Sequence, residues 1–211
     1  VGKQGVLCLM SESVYADKSG FTSPKHRISA VIREIFMKQS EGRIIFNVAQ
    51  AQVARIQEIL SEIMITDRKV VVMGKSLETM IQKSIDMKDI KFDKERIENI
   101  HHTKDPNIVL LISDEREKPF SNMDRILKGF DKFVTITDKD TVVFTNPIYD
   151  GMEKTATKIF DRVAQIGANL EIISSKKYLG HHASREDLML MIDLLNPKYY
   201  FPVLGEYRHQ V

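Results

Sequence analysis

Two residue types suited to moving a proton stand near opposite ends of this chain. Glu12 follows an apolar run and lies between Ser11 and Ser13, and His182 directly precedes the start signal of the last helix. A carboxylate that accepts a hydrogen bond from one imidazole nitrogen fixes the ring's tautomer and leaves the other nitrogen for acid–base work. Almost the whole chain separates the two, so only the fold can join them. Kept apart, Glu12 caps a turn through its serine neighbours and His182 is a surface residue. Other candidates carry blander readings. Cys8 falls in an apolar strand signal and reads as inert core. His101 and His102 sit in a charged stretch and read as exposed, unrelated to metal. Gly2, Gly5 and Gly20 are too scattered to cradle a phosphate, and neither G-x-x-x-x-G-K-[ST] nor G-x-G-x-x-G occurs. Lys176-Lys177-Tyr178 and Arg208-His209 are placed to meet a nucleic-acid backbone, with plain solvation as the alternative.

The elements that must position these groups are legible as short Val- and Ile-rich runs at 6–10, 43–48, 69–73, 107–112, 141–145, 170–173 and 199–203. Unbroken apolarity over four to six residues suits strands covered on both faces, as in a parallel sheet. Between them lie helical stripes: Ile28, Val31, Ile32, Ile35, Phe36; then Val53, Ile56, Ile59, Leu60, Ile63; then Leu77, Met80, Ile81, Ile85; then Ile159, Phe160, Val163, Ile166. Ser184 with Asp187 forms a capping pattern that Asn196-Pro197 closes, and Ser121 with Asp124 repeats the start signal. Met80, Met189 and Met191 read as core filling. Strand and helix alternate, so the fold class is α/β with a mostly parallel sheet flanked by helices. The stretch 84–106 is charged and poorly periodic and predicts a solvated excursion. No repeat, low-complexity tract or linker appears, which predicts one compact unit.

The 211 residues carry 43% hydrophobic and 28% charged side chains, ordinary for a globular protein. A net charge of +2 neither supports nor excludes RNA, because a nucleic-acid footprint depends on clustered cations. No apolar run reaches the ~20 residues that cross a membrane, and a lone cysteine fits a reducing compartment. The expectation is a cytoplasmic protein without a membrane partner. The chain begins at Val1-Gly2 and reads as a piece of a longer one.

The segment His181 to Val211 and the opening GVLCLMSESVYADKSGFT resemble the β-CASP ribonucleases of the RNase J type, and the resemblance covers nearly the whole chain. It implies residues 1–20 as a flanking segment of a metallo-β-lactamase domain, 21–180 as the β-CASP domain and 181–211 as the return segment. In that family the acidic residue matching Glu12 holds the histidine matching His182 near the scissile phosphate, where it can serve as general acid. Lys177, Gly180, His181 and Arg208 are the implied RNA contacts. Active members bind zinc or manganese, act on RNA and assemble with other RNase J-type subunits.

Departures from the family pattern cluster at the phosphate and the metal. Tyr199 to Arg208 matches the closing motif except that its metal-binding histidine is Leu204, which has no lone pair to offer zinc. The preceding HxHxDH motif is not in this chain, so no metal or cofactor is expected in this piece. A Gly-rich loop becomes Asp114-Glu115-Arg116-Glu117-Lys118-Pro119, whose carboxylates would repel an anion. Phe-Ala-Ser-Asn becomes Ala49-Gln50-Ala51-Gln52, and Ser-Gly-His becomes Gly180-His181-His182. These losses predict a catalytically impaired RNase J paralogue that binds RNA or partners an active subunit. An active metal-dependent RNase J is the first alternative. The second is an α/β nucleotide- or protein-binding module with its pocket at the carboxyl ends of the strands.

Overall fold

The computed structural model describes residues 1–22, 27–39, 41–101, 105–113, 120–146, 148, 151–173 and 182–210. They form two compact units, not the one expected: Val1–His26 with Lys176–Val211, and Arg27–Ser175. The division follows from strand pairing. The first and last strands of the chain bond to each other and stay out of the main sheet.

The larger unit holds β2 (Ile44–Val48), β3 (Val70–Met73), β4 (Ile97–Glu98), β5 (Val109–Ser113), β6 (Thr141–Phe144) and β7 (Asn169–Ile172). All pair in parallel, in the order β4-β3-β5-β2-β6-β7. Every residue of β2, β5 and β6 is buried, because helices cover both faces of the sheet. These helices are α1 (Ser29–Lys38), α2 (Val53–Ile63), α3 (Lys75–Asp86), α4 (Ser121–Leu127) and α5 (Glu153–Ile166). Ile45, Leu110, Ile112, Val142 and Phe144 share one core with Met123 and Ile126 of α4 and Ile159 and Val163 of α5. The alternate strand residues Ile44, Phe46, Val109 and Leu111 face the other way by the strand pleat. Ile32, Ile56, Ile59, Leu77 and Ile81 from α1, α2 and α3 are buried in the core as well.

The connections decide where a site can open. After β2 and β3 the chain moves toward the β4 edge, and after β5 and β6 it moves toward the β7 edge. Right-handed crossovers therefore place α2 and α3 on one face and α4 and α5 on the other. Neighbouring strands β3 and β5 send their chains to opposite faces. That divergence leaves a crevice at their carboxyl ends, the usual ligand position in open α/β sheets.

Charged groups tie the opposite, amino-terminal edge. Arg43 grips the buried Asp140 through Nε and Nη2 at 2.9 and 2.6 Å, and Asp140 also accepts from the Thr137 N–H. Arg68 donates to the carbonyls of Gly42 and Gln39 at 2.6 and 2.7 Å. Two local expectations change. The excursion after α3 is not fully solvated: Ile90 and Phe92 are buried and β4 adds an edge strand to the sheet. Sparse apolar residues suffice there because an edge strand of two residues covers only one flank. Ser121 begins α4 as its first helical residue, and the cap position belongs to Phe120 in a left-handed conformation.

The smaller unit holds β1 (Cys8–Glu12) and β8 (Tyr199–Leu204), paired in parallel, with α6 (Arg185–Leu195) and α7 (Tyr207–Gln210). Ser184 and Asp187 close a reciprocal capping box on α6, and Asn196 ends it in a left-handed turn, as their spacing predicts. The burial expected here does not hold. Cys8, Met10, Tyr199, Phe201, Met189 and Met191 are all exposed, since two strands, one three-turn helix and a single helical turn do not enclose a core.

Leu110→Ala should lower the stability of the larger unit by about 2–5 kcal/mol through cavity formation. Asp140→Ala should cost about 3–5 kcal/mol by stranding the Arg43 guanidinium. Urea unfolding followed by circular dichroism measures both, and a shift under 1 kcal/mol for either would contradict this packing.

Candidate active site

Glu12 ends β1 and Leu204 ends β8, and the two are register partners across the strand pair. An irregularity between Ser11 and Glu12 turns the end of β1 at this point. The buried Ser13 then donates to the Leu204 carbonyl through both its N–H (2.8 Å) and its hydroxyl (2.7 Å). Gly205 follows with a φ of +124°, and a Cβ there would stand 2.7 Å from the Ser13 hydroxyl oxygen. Only glycine serves both the backbone angle and the close approach.

The fold brings the two ends of the chain together at His182. Its Nδ1 lies 2.5 Å from Glu12 Oε2, and Glu12 Oε1 accepts the Ala183 N–H at 3.2 Å. One carboxylate thus holds both the ring and the backbone that carries it. Tyr15 packs nearly perpendicular to the imidazole, with ring centroids 5.1 Å apart, and the Lys18 ammonium sits 3.3 Å from the Tyr15 ring centre. With Nδ1 engaged by Glu12, Nε2 is the nitrogen available for proton transfer. The His182 side chain is one-third exposed, so solute can reach it. This is the arrangement a general acid–base pair needs: a fixed tautomer, a fixed ring and an accessible second nitrogen.

A layer of hydrogen bonds absent from the sequence reading supports the pair. Thr22 donates its hydroxyl to the His182 carbonyl (3.0 Å) and its N–H to Asp187 Oδ2 (2.7 Å). Asp187 also accepts the Ser184 N–H at 3.1 Å, and Glu186 accepts the Gly20 N–H. These donors hold the Asp187 carboxyl below its ordinary range, the Thr22 N–H being the main cause. The capping spacing foretold Asp187. Nothing in the sequence marked Thr22, because its partner lies at the far end of the chain.

The other expected site residues are dispersed. Arg208 is exposed and pairs with Glu206 at 2.9 Å, a contact that a phosphate can displace at little cost. Its neighbour His209 turns inward, accepting the Glu206 N–H and lying 3.6 Å from Asp17. Lys177, Gly180 and His181, and the loop Asp114 to Pro119, lie outside the described residues. His101 is exposed and packs at 4.3 Å against Phe133; His102 is outside the described residues. The Leu204 side chain is exposed, and among the described residues no three of His, Cys, Asp and Glu converge as a metal site. The described residues do not by themselves supply a ligand set for zinc or manganese.

A parallel α/β domain together with a strand pair bearing a carboxylate-held imidazole is the architecture expected of a β-CASP protein. Residues 41–163 match the family model of the Ribonuclease J beta-CASP domain, and the chain belongs to that family. It is 30% identical over 213 residues to Ribonuclease J2 of Bacillus subtilis, a match covering 100% of this chain and 38% of that protein. It is 29% identical over 219 residues to Ribonuclease J 1 of Streptococcus pyogenes, covering 100% and 38%. With Ribonuclease J of Synechocystis it shares 31% over 214 residues, covering 98% and 33%. The chain thus spans about a third of the length of these relatives.

Because Asp187 titrates below an unfolded aspartate, its contribution is complete above about pH 3.9. It is lost as pH falls through its own lower value. The Ser184 and Thr22 amide resonances should therefore shift together in acid, and Asp187→Asn should abolish that step; an unchanged titration would refute the link. Gly205→Ala should destabilise the strand pair by about 1–3 kcal/mol and displace Ser13, visible as lost protection of its amide in hydrogen exchange.

Proposed function

We propose that this chain is the β-CASP region of an RNA-cleaving protein in which the acid pair is kept and the metal site has lost a ligand. The observation that carries the reading is the pairing of Glu12 with Leu204 at the end of one strand pair, with His182 held on Glu12. Residues 1–20 and 181–211 are read as strands of an adjoining metallo-β-lactamase domain, with 21–180 as the β-CASP domain. The exposed apolar face formed by Met10, Tyr199, Phe201 and Val203 supports this, because such a face belongs inside a larger sheet.

The chemistry available to this chain is proton transfer at His182 Nε2, with Glu12 holding the ring, toward an oxygen of the RNA backbone. A metal in a relative's site would supply an activated water; at position 204 this chain supplies only a backbone carbonyl already bound by Ser13. The expected result is weak or absent hydrolysis, with a role in RNA binding or as partner to an active RNase J-type subunit in the cytoplasm.

The test is RNA cleavage by the natural full-length protein with added Zn²⁺ or Mn²⁺, beside its Leu204→His variant. Cleavage should rise in the variant, and adding Glu12→Gln to that background should lower it again by about 10²–10⁴-fold. Equal, robust cleavage with leucine and histidine at 204 would overturn the lost-ligand reading. Cleavage insensitive to Glu12→Gln would overturn the acid-pair reading.

A further inference from the structure

One hydrogen bond does not fix a ring. The Glu12 carboxylate holds His182 at Nδ1, and such a bond weakens steeply only when the angle at its hydrogen falls below about 120°. With that bond alone the imidazole can tilt about its Nδ1 end. A second contact limits the tilt: the Tyr15 ring stands at 79° to the imidazole plane with the centroids 5.1 Å apart. This is the edge-to-face arrangement in which the quadrupoles of two aromatic rings attract. Tyr15 is half-buried on the turn that leaves β1, two residues beyond the buried Ser13.

The turn that carries Tyr15 is itself fastened to the segment that carries His182. The Ala16 N–H bonds to the Ser13 carbonyl and the Lys18 N–H to the Tyr15 carbonyl, both at 3.0 Å, which folds 13–18 into two overlapping turns. Tyr15 also bridges Ser184 in parallel, two residues beyond the histidine. Arg185 closes the join from its own side. Its backbone N–H bonds to the Lys18 carbonyl at 3.0 Å, and its guanidinium donates to the carbonyls of Ala16 and Asp17 at 3.2 Å each. The Lys18 ammonium, 3.3 Å from the Tyr15 ring centre, then makes a cation–π contact that holds the phenol ring where its turn puts it. Tyr15 and His182 thus belong to one hydrogen-bonded body, although nearly the whole chain separates them.

We propose that Tyr15 is a positioning residue for His182: its ring, pinned by Lys18 and by the Arg185 clasp, stops the imidazole tilting and so keeps Nδ1 on Glu12. The two restraints differ in kind. Glu12 selects the tautomer through a directional bond, whereas Tyr15 limits the tilt through a ring contact that does not depend on which nitrogen carries the proton. A ring held at both points needs no further ordering when Nε2 moves a proton, which is what preorganisation of a reacting group requires. The role rests on the acid-pair reading above and deepens it. It makes no use of the Tyr15 hydroxyl, so phenylalanine should serve in its place.

The test uses the natural full-length protein with nitrogen-15 in its histidine rings, and long-range proton–nitrogen NMR at a pH where the imidazole is neutral reads which nitrogen of His182 carries the proton. His182→Gln identifies the signal. Tyr15→Ala should raise the population of the tautomer protonated at Nε2 by roughly two- to 12-fold, and Tyr15→Phe should leave it as it is. Lys18→Met, which does not touch the imidazole, should raise it by a smaller factor of about two to five. Lys18 is exposed, so this variant decides the matter even where Tyr15→Ala fails to fold. An unshifted population in either variant would overturn the proposal. A Tyr15→Phe spectrum like that of Tyr15→Ala would do the same, because the hydroxyl and not the ring would then be responsible. So would a change in Lys18→Met that comes with displaced Thr22 and Ser184 amide resonances, since the whole cap of α6 would then have moved. Cleavage does not enter this measurement, whereas Glu12→Gln tests the acid pair by cleavage, so either reading can fail alone.

Discussion

The hydrogen bond between Glu12 and His182 exists only because the two ends of the chain pair as parallel strands. β1 and β8 run side by side, and their register sets Glu12 opposite Leu204. The segment beyond each strand is then stitched to the other: Ser13 to the Leu204 carbonyl, Thr22 to Asp187 and to the His182 carbonyl. Remove the strand pairing and no local preference of either segment would bring a carboxylate to an imidazole. The Glu12–His182 bond is therefore a consequence of long-range register, and its geometry is tied to the cap of α6 that carries Ala183 and Ser184 toward it.

The larger unit builds its opening by a different constraint. Its strands are buried on both faces, so function cannot reside along them and must gather at their carboxyl ends. Handedness then selects the place. Right-handed connections leave β3 toward one edge and β5 toward the other, and α3 and α4 flank the crevice between them. At the opposite edge Arg43 bonds the Asp140 carboxylate and Arg68 bonds the Gly42 and Gln39 carbonyls, which ties the loops there to one another.

How much of this the sequence carried depended on the range of the interaction concerned. Apolar runs marked the strands of the main sheet because burial on both faces is a local property of composition. The same signal misjudged Cys8, Met10 and Phe201, whose runs are equally apolar but whose strands have only each other in this chain. The capping box at Ser184 and Asp187 was readable from four residues. At Ser121 an identical spacing failed, since Phe120 takes the cap position with a left-handed backbone that no spacing announces. Glu12 and His182 were found through resemblance to a family, whereas Thr22, Tyr15 and the inward turn of His209 needed coordinates.

Position 204 shows how a strand end can hold its frame independently of its side chain. The backbone there does structural work: its carbonyl takes two hydrogen bonds from Ser13, and Gly205 beyond it allows the approach that makes them possible. Those bonds are indifferent to the side chain, so a leucine fits the strand end as well as a histidine would. Selection for folding alone would preserve Gly205, Ser13 and the strand register while leaving the side chain at 204 unconstrained. The Glu12–His182 bond stands on the same footing, because it also anchors the Ala183 N–H and hence the start of α6. The bond therefore has a structural role of its own, and the Glu12→Gln comparison in a metal-competent background separates that role from catalysis.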